Sequence, residues 1–524
     1  MAREWWREAV FYQIYPRSFA DANGDGIGDL DGITAHLDYL NDGTSASLGI
    51  DAIWLSPINP SPLKDWGYDV SDYCGVHPEL GTLESFDRLI AEAHRRNIRI
   101  VVDLVPNHTS DQHPWFRESK SLRDNPKRDW YIWRRGRENN PPNNWKSTFG
   151  GSAWEFDATT GEWYLHSFLR EQPDLNYRNP QVVDAMHSVL RFWLDRGVDG
   201  FRVDVIAQMI KDSEFRDNPA VPSDRPLTQL ERLAFEQRYS SDQPEVHDII
   251  RGFRRVLDSY PGDRMMVGEV WPRDQRSLAD YLRSDELQQA FNFRFLFSPW
   301  KANAFRSRIE EVESLLGADA WPTYTLSNHD FPRHISRYGS VDPDARARMA
   351  AVMLLTMRGT PFIYYGEEIG MRQVEIPADR KRDSMGRDGC RTPMQWNTER
   401  NGGFSIAQAW LPIGNCAAIS VANQLGDSSS MLALYRRMIH LRKNSRALSE
   451  GSYRSEPDAP DDCLVFRREA TSQRVIVALN FADANRRIEI PRARILLSTN
   501  PARADGNVVG TLELFANEAI VLEL

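Results

Sequence analysis

Short runs of hydrophobic residues recur along this chain, and segments with helical periodicity separate them. The run AVFYQIYP at residues 9–16 is followed by a helical pattern over 31–40, and IDAIWLSP at 50–57 by one over 83–96. IRIVVDLV at 98–105 is the third run. Strands that alternate with amphipathic helices are typical of a parallel sheet with helical crossovers.

The same alternation continues after a helical pattern over residues 182–196. Five further strands are predicted at residues 200–205, 264–270, 289–295, 322–330 and 360–368. Together with the first three they make eight strands, the number that closes a (β/α)8 barrel. We therefore expect an α/β protein built on a TIM barrel.

Two stretches depart from this alternation. About 70 residues rich in Trp, Pro, Asn and Gly separate the third strand from the next helix, and a segment of that length forms structure of its own. We expect an inserted subdomain B at 106–174. After a helix at 430–443 the pattern changes to short alternating strands, which predicts an all-β sandwich domain at 446–524. The catalytic barrel would then comprise residues 1–105 and 175–445.

Composition narrows the class of protein. The 524 residues exceed the size of one compact core, and 41% hydrophobic with 26% charged residues are ordinary values for a globular protein. A net charge of −10 argues against a nucleic-acid partner or an anionic membrane surface. The four cysteines lack metal-ligand spacing, and the first residues, MAREWWREAV, lack a secretory pattern. We expect a cytoplasmic protein, monomeric or homodimeric.

The strand GFRVDV carries two charged residues with the spacing of strand neighbours. Arg202 and Asp204 are two positions apart, so period-two alternation places both side chains on the same face. A buried cation beside a carboxylate is either a structural ion pair or a carboxylate that arginine keeps ionised for nucleophilic attack.

The other predicted strand ends favour the second interpretation. In TIM barrels, functional residues lie at the carboxyl ends of strands. Glu269 and Asp330 end two further strands, and His108 and His329 also lie at strand ends. A retaining glycosidase needs one ionised nucleophile and one proton donor. Asp204 fits the nucleophile, and the apolar neighbours of Glu269 favour the protonated acid. Asp330 remains to hold sugar hydroxyls. Zinc bound by the two histidines is an alternative without the usual spacing.

DANGDGIGD, which follows the first strand, has oxygen-bearing side chains at alternate positions. Glycines allow the tight turns, and hard cations such as Ca²⁺ prefer oxygen ligands. The twelfth position is Gly32, where an EF-hand has Glu, so this is a calcium loop of another type. We expect Asp21, Asn23, Asp25, Asp29 and the Ile27 carbonyl to bind structural Ca²⁺ or Mg²⁺; a polar turn without metal is the alternative.

The chain resembles glycoside hydrolase family 13, the α-amylase family, over nearly its whole length. The matching motifs are DLVPNH, GFRVDVI, GEVW, LSNHD, QPDLN and GTPFIYYGEE. The resemblance implies Asp204 as nucleophile, Glu269 as acid/base and Asp330 as transition-state stabiliser. It also implies sugar contacts from His108, Arg202 and His329.

Other motifs place the chain near particular members of that family. PPNNW, FGGSAWE, which begins at Phe149, and RDGCRTPMQW resemble α-glucosidases and oligo-1,6-glucosidases. The resemblance implies exo action on terminal α-glucosidic bonds of short oligosaccharides such as maltose and isomaltose, with possible transglucosylation. It implies that Asp65, Tyr68 and Arg387 recognise the terminal glucose, with Arg391 the alternative arginine.

The exact reaction and linkage stay open at this point. Trehalose synthase and related isomerases or transglucosylases share this framework, and a non-catalytic sugar-binding homologue would not need all three acids. Among the relatives that the chain resembles, Val after the nucleophile goes with α-1,6 cleavage, and Val205 occupies that place. FGGSAWE resembles loops of α-1,4-preferring enzymes.

Overall fold

The computed structural model describes residues 4–138, 140–221, 236–271, 275–316, 320–339, 341–501, 503 and 506–524. Its strands, in chain order, are β1 (Phe11–Ile14), β2 (Ala52–Leu55), β3 (Arg99–Leu104), β4 (Trp133–Arg134), β5 (Trp154–Asp157), β6 (Glu162–Leu165), β7 (Gly200–Val203), β8 (Met265–Gly268), β9 (Gln289–Ala290), β10 (Thr323–Thr325), β11 (Thr360–Tyr364), β12 (Ser452–Ser455), β13 (Cys463–Ala470), β14 (Gln473–Asn480), β15 (Arg486–Ser498), β16 (Asn507–Leu514) and β17 (Ala519–Glu523).

The helices, in the same order, are α1 (Trp5–Glu8), α2 (Leu30–Ala35), α3 (Leu37–Leu40), α4 (Leu83–Arg95), α5 (Pro114–Ser121), α6 (Pro180–Asp195), α7 (Val246–Asp258), α8 (Gln275–Asp280), α9 (Phe293–Leu296), α10 (Ala302–Leu316), α11 (His334–Arg337), α12 (Pro343–Thr356), α13 (Val421–Gln424), α14 (Met431–Asn444) and α15 (Arg446–Ser449). None of these helices, within the described part of the chain, is long and apolar enough to cross a membrane.

Eight strands form one sheet in the order β10-β11-β1-β2-β3-β7-β8-β9. The strand pairs β10–β11, β11–β1, β1–β2, β3–β7, β7–β8 and β8–β9 are parallel. Directly after β9, Phe291 forms a parallel bridge with Thr323 of β10, so the two ends of the order meet. The predicted (β/α)8 barrel is confirmed.

The strand expected over 322–330 comprises only β10, so His329 and Asp330 follow the strand at a distance of a few residues. Two other predicted elements differ in kind. The strand expected over 289–295 is two residues long, because the Asn292 side chain accepts the Phe295 N–H (3.2 Å) and begins helix α9. The helix expected over 31–40 is divided into α2 and α3 at His36, where the backbone leaves helical geometry (φ −108°, ψ 11°).

The chain forms two compact units. The first comprises residues 1–55, 88–100 and 291–524, and the second comprises 56–87 and 101–290. In the second unit, β4, β6 and β5 form an antiparallel sheet over an aromatic cluster that includes Trp145 and Trp154. Phe215 packs in the same cluster although it lies beyond the 106–174 range predicted for subdomain B. The domain boundaries remain a prediction.

The C-terminal strands of the first unit form an antiparallel sheet in the order β12-β13-β14-β17-β15-β16. Val465 of β13 and Leu512 of β16 share one hydrophobic cluster although several strands lie between them. One face of the sheet therefore carries a continuous apolar surface, which gives the C-terminal all-β domain its core.

Two buried arginines close the carboxyl end of helix α12. Arg468, on β13, donates to the Thr356 carbonyl (2.6 Å). Arg442, on α14, donates to the carbonyls of Leu355 and Met357, both at 3.1 Å. The last carbonyls of a helix have no partner within the helix, so these cations satisfy acceptors that burial would otherwise leave unpaired.

Two buried glutamates follow β11. The Glu367 carboxyl group accepts from the Tyr435 hydroxyl (3.0 Å), and Glu368 accepts from the hydroxyls of Tyr12 (2.8 Å) and Tyr39 (2.7 Å). Burial raises the pKa of Glu367 to about 8, so this carboxyl is protonated near neutral pH.

Candidate active site

Arg202 is the centre of a group of charged side chains in the second unit. Its Nη1 donates to Asp103 Oδ1 (2.9 Å) and to Asp204 Oδ1 (2.7 Å), and its Nη2 contacts Glu269 Oε2. The Arg202 side chain is 1% exposed. The prediction that Arg202 and Asp204 share one face is confirmed, and Glu269 joins them.

Backbone pairing beyond the ends of the strands places these two carboxylates. The Asp204 N–H donates to the Leu104 carbonyl (2.9 Å), and the Glu269 N–H donates to the Val203 carbonyl (2.8 Å). The ladder of parallel strands thus extends one residue past β7 and β8 and fixes both side chains next to Arg202. Val205 then adopts a left-handed backbone (φ 35°, ψ 43°), which ends the strand.

Asp103 is the partner of Arg202 that the sequence reasoning did not select. Its second oxygen accepts from the Tyr68 hydroxyl (3.0 Å), which links Asp103 to a predicted sugar-binding residue. Burial alone lowers the pKa of Arg202, but Asp103, Tyr68 and Asp204 outweigh it and hold the pKa above its ordinary value. Arg202 is therefore a permanent cation that favours ionised carboxylates around it.

Glu269 lies among polar partners, whereas its sequence neighbours suggested an apolar environment. Besides Arg202, the Trp271 indole N–H donates to Glu269 Oε1 (2.7 Å). Both partners favour the ionised carboxylate. A role as proton donor would therefore require that a bound substrate weaken the contact with Arg202.

His108 belongs to a second hydrogen-bonded group in the same unit. Its Nε2 lies 3.1 Å from the Tyr68 carbonyl and 3.1 Å from the Gln172 amide nitrogen, which donates to Asp65 Oδ2 (3.0 Å). Burial lowers the pKa of His108 against the opposing charges of Asp174 and Asp65, so the ring is neutral. Four predicted sugar-site residues thus lie in two linked groups: Asp65, Tyr68, His108 and Arg202.

Lys211 is a buried cation that the sequence motifs did not reveal. Its Nζ lies 2.7 Å from Asp174 Oδ2 and donates to Asn107 Oδ1 (2.8 Å), and Asn107 is the residue before His108. The pairing could not be predicted because Lys211 lies more than 30 positions from either partner.

Half-buried Phe149 packs edge-on against Phe168, whose ring also contacts His108.

Asp330 lies in a group of its own in the first unit. His329 Nε2 is 3.2 Å from Asp330 Oδ2, and His329 Nδ1 is 2.8 Å from the Gln13 side-chain nitrogen. Arg387 Nη1 (3.2 Å) and Arg391 Nη2 (3.3 Å) both donate to Asp330 Oδ1. Both arginines considered from the sequence therefore contact the same carboxylate.

The predicted calcium loop provides oxygen donors of the required kind. Asp21, Asp25 and Asn23 accept hydrogen bonds from N–H groups of their own loop, between 2.7 and 2.9 Å. Burial raises the pKa of Asp29 although backbone N–H groups oppose it, and a nearby cation would offset that cost.

The carboxylates of the predicted calcium loop do not by themselves form a metal site. In the described ranges, no three acidic, histidine or cysteine side chains converge closely enough to hold a metal ion. Calcium also accepts amide and backbone carbonyl oxygens, such as those of Asn23 and Ile27, so the donor set of the loop fits this cation. The zinc alternative at His108 and His329 gains no support.

The Arg202 group has the parts needed for acid–base and nucleophilic chemistry. A carboxylate anchored through one oxygen can attack with the other, and a second carboxyl held by the same cation can carry a proton. One ionised carboxylate and one carboxyl that can donate a proton are the arrangement that glycoside hydrolysis uses.

The chain belongs to the α-amylase family. The family model for the α-amylase catalytic domain matches residues 13–451, most of the chain. With this membership, the protein is a glycoside hydrolase, and the resemblance drawn from the motifs is confirmed.

Particular relatives narrow the comparison. A probable α-glucosidase of Rhizobium meliloti is 44% identical, covering 94% of this chain and 92% of the relative. An oligo-1,6-glucosidase of Parageobacillus thermoglucosidasius is 40% identical, covering 94% and 93%.

Two solved structures resemble the whole chain. The α-glucosyl transfer enzyme XgtA has a TM-score of 0.92 at 39% identity and 99% coverage of both chains. The trehalulose synthase MutB from Pseudomonas mesoacidophila has a TM-score of 0.92 at 36% identity and 100% coverage of both.

Proposed function

We propose that this protein is a retaining, exo-acting α-glucosidase that releases glucose from the non-reducing end of short α-glucosides. The observation that carries the proposal is the Arg202 group, in which one buried cation holds Asp204 and Glu269. Relatives named α-glucosidase and oligo-1,6-glucosidase support the substrate class.

In the proposed first step, Asp204 attacks the anomeric carbon of the terminal glucose while the glycosidic C–O bond breaks. Glu269 gives its proton to the departing oxygen, so the leaving sugar is released as a neutral alcohol. A covalent β-glucosyl ester on Asp204 results. Arg202, bonded to Asp204 Oδ1, orients the carboxylate so that its other oxygen can attack.

In the second step, Glu269, now a carboxylate, accepts a proton from water as the water oxygen attacks the anomeric carbon. The ester bond breaks, Asp204 is restored, and α-glucose is released with net retention. We assign Asp330 to the sugar hydroxyls whose hydrogen bonds strengthen in the transition state. His108, His329, Tyr68 and Phe149 are assigned to contacts with the same sugar.

We assign recognition of the terminal glucose to Asp65 and Arg387. Asp65 is 4% exposed and accepts from Gln172, so its carboxylate is already directed by a neighbour. Charged groups that bond the outer hydroxyls of glucose would leave no room for a further sugar unit. This gives exo rather than endo action.

The competing function is transfer of the glucosyl group to a sugar in place of water. It is favoured by the likeness to a structure named as an α-glucosyl transfer enzyme and to a trehalulose synthase. Both functions share the covalent intermediate and differ in the second step.

The test incubates the protein separately with maltose, isomaltose, sucrose and trehalose and follows the products by NMR. Hydrolysis gives two glucose molecules for each bond broken in maltose, isomaltose or trehalose, and one glucose with one fructose from sucrose; the newly released glucosyl unit appears first as the α-anomer. An isomeric disaccharide or a longer oligosaccharide in excess of glucose would assign the transfer function instead. Rapid loss of viscosity with soluble starch would contradict exo action.

A further inference from the structure

Asp383 lies outside every motif used above, and its carboxylate holds one of the two arginines at Asp330. Arg387 donates to it through Nε (3.0 Å) and Nη2 (2.7 Å), a two-bond fork, and the Arg387 backbone N–H donates to the same carboxylate at 2.7 Å. Arg387 Nη1 reaches Asp330 at 3.2 Å. One edge of the guanidinium therefore faces Asp383, while another nitrogen serves Asp330.

Asp383 is itself fixed. Its side chain is 1% exposed, and its backbone N–H donates to both oxygens of Asp388 (3.1 and 3.0 Å). Burial raises the pKa of Asp383, but the hydrogen bonds and charge of Arg387, with the charge of Arg391, outweigh it and hold the pKa below its ordinary value. A charged, buried and tethered carboxylate is a rigid reference point for Arg387.

Arg391 offers a comparison within the same group. It donates to the same oxygen of Asp330, but its Nε donates to the His329 carbonyl (2.7 Å), which is backbone. Arg391 is thus oriented by the chain next to Asp330, whereas Arg387 is oriented by a separate carboxylate.

The planar fork of arginine matches a carboxylate through two parallel bonds. Without Asp383, the Nε–Nη2 edge of Arg387 would be available to form that fork with Asp330. Both oxygens of Asp330 would then be bonded to arginine in place of sugar hydroxyls.

We propose that Asp383 is a positioning residue that holds Arg387 in the orientation in which it serves both Asp330 and the terminal sugar. This role rests on the function proposed above. Asp383 acts through Arg387 and has no contact with the reacting atoms in this assignment.

The test is a double-mutant cycle with Asp383→Asn, Arg387→Lys and the double variant. Lysine keeps the charge but cannot form a planar fork. We expect each single variant to lower kcat/KM by about 10- to 100-fold, since misplacing a binding group by about 1 Å can cost about 100-fold. The double variant should be no worse than Arg387→Lys within about twofold, because residues that act through one another are not additive.

Two further readouts separate positioning from a structural role. The inhibition constant of glucose should rise in Asp383→Asn in parallel with KM. Asp462→Asn is the control: it breaks another Asp–Arg fork, with Arg486 in the C-terminal domain, and should leave kinetics unchanged. Effects that multiply in the cycle, or Asp383→Asn kinetics within twofold of native, would overturn the proposal.

Asp383→Glu covers the case in which the Asn variant does not fold. Glutamate keeps the charge and moves the carboxylate by one methylene, so kcat/KM should fall at least about fivefold while the melting temperature stays near native. Native kinetics in this variant would also overturn the proposal. The rate in each variant is measured as disaccharide consumed, whichever product forms. If the native enzyme transfers glucose to sugars in place of hydrolysing the bond, its products show this, and the coupling between Asp383 and Arg387 can still be measured.

Discussion

At the scale of single residues, the contacts of Arg202 with three carboxylates determine how substitutions in the candidate site should act. One guanidinium contacts three carboxylates, and two of them are the proposed nucleophile and acid. Substitutions within this group therefore change charge balance as well as chemistry, and variants that keep the side-chain shape are the informative ones.

Asp204→Asn should abolish turnover while the fold survives, because the amide keeps the shape and hydrogen-bonding reach but cannot form the glycosyl ester. The loss should be on the order of 10⁴-fold or more. Steady-state kinetics and thermal melting of the same sample provide the measurement. Asp212→Asn, which weakens an ion pair with Arg216, is the control and should retain activity. Release of β-glucose by the native enzyme would refute the nucleophile assignment.

Val205→Thr should shift the ratio of kcat/KM toward maltose relative to isomaltose. Strand alternation would place the Val205 side chain on the face opposite to Asp204. It does not apply here, because the strand ends at Val203 and the Val205 backbone is left-handed. Threonine is equally β-branched, so backbone strain is similar and the hydroxyl is the main change. One such group contributes about 1–3 kcal/mol. An unchanged ratio would exclude Val205 from linkage choice.

At the scale of elements, the hydrophobic pattern predicted the barrel strands well and their surroundings less well. In the C-terminal domain only the class of element was predicted, and β12 and β16 have few buried residues and no continuous apolar run that would mark their bounds. α9 was missed because its start depends on the Asn292 cap rather than on periodicity.

The candidate site shows the same limit at residue level. Residues at strand ends, such as Asp204 and Glu269, could be selected because barrel geometry assigns function to those positions. Asp103 lies at the end of the third strand, in DLVPNH, and the same rule could have selected it. Lys211 and Asp383 could not be selected, because tertiary packing brings their partners to them and no local pattern signals it.

The loop that carries Asp21 and Asp25 provides a prediction for an element. A bound Ca²⁺ should stabilise the folded state, so a chelator should lower the melting temperature, and Asp25→Asn should remove that sensitivity. Asp42→Asn, in an exposed turn of similar local hydrogen bonding, is the control and should keep the response to chelator. Immediate loss of activity with unchanged melting would contradict a structural role.

At the scale of the whole molecule, the buried carboxyl of Glu367 links stability to pH. Its pKa of about 8 exceeds the ordinary 4.5, so between these values the folded state binds more protons than the unfolded state. The free energy of unfolding should therefore fall as pH rises through this window, by up to about 1.4 kcal/mol per pH unit.

Glu367→Gln should flatten that fall, since the amide keeps a polar group for Tyr435 and does not titrate. Melting temperatures of native and variant protein from pH 5 to 8 provide the measurement. Glu368, Arg333 and His334 also face this carboxyl and are unchanged in the comparison. Exposed Glu489→Gln is the control. Parallel curves for native protein and Glu367→Gln would contradict the assignment.

The hydrogen bond from Arg468 to the end of α12 affects whether the C-terminal domain can be removed or replaced by that of a relative. Because a C-terminal strand supplies the cation that satisfies a barrel helix, a gene cut after α14 would leave the Thr356 carbonyl without this donor. Exchange of the final domain between relatives should therefore succeed only when the incoming domain carries an arginine at the position of Arg468. The C-terminal sheet thus contributes to the stability of the barrel, and the two domains remain compatible only while this contact is kept.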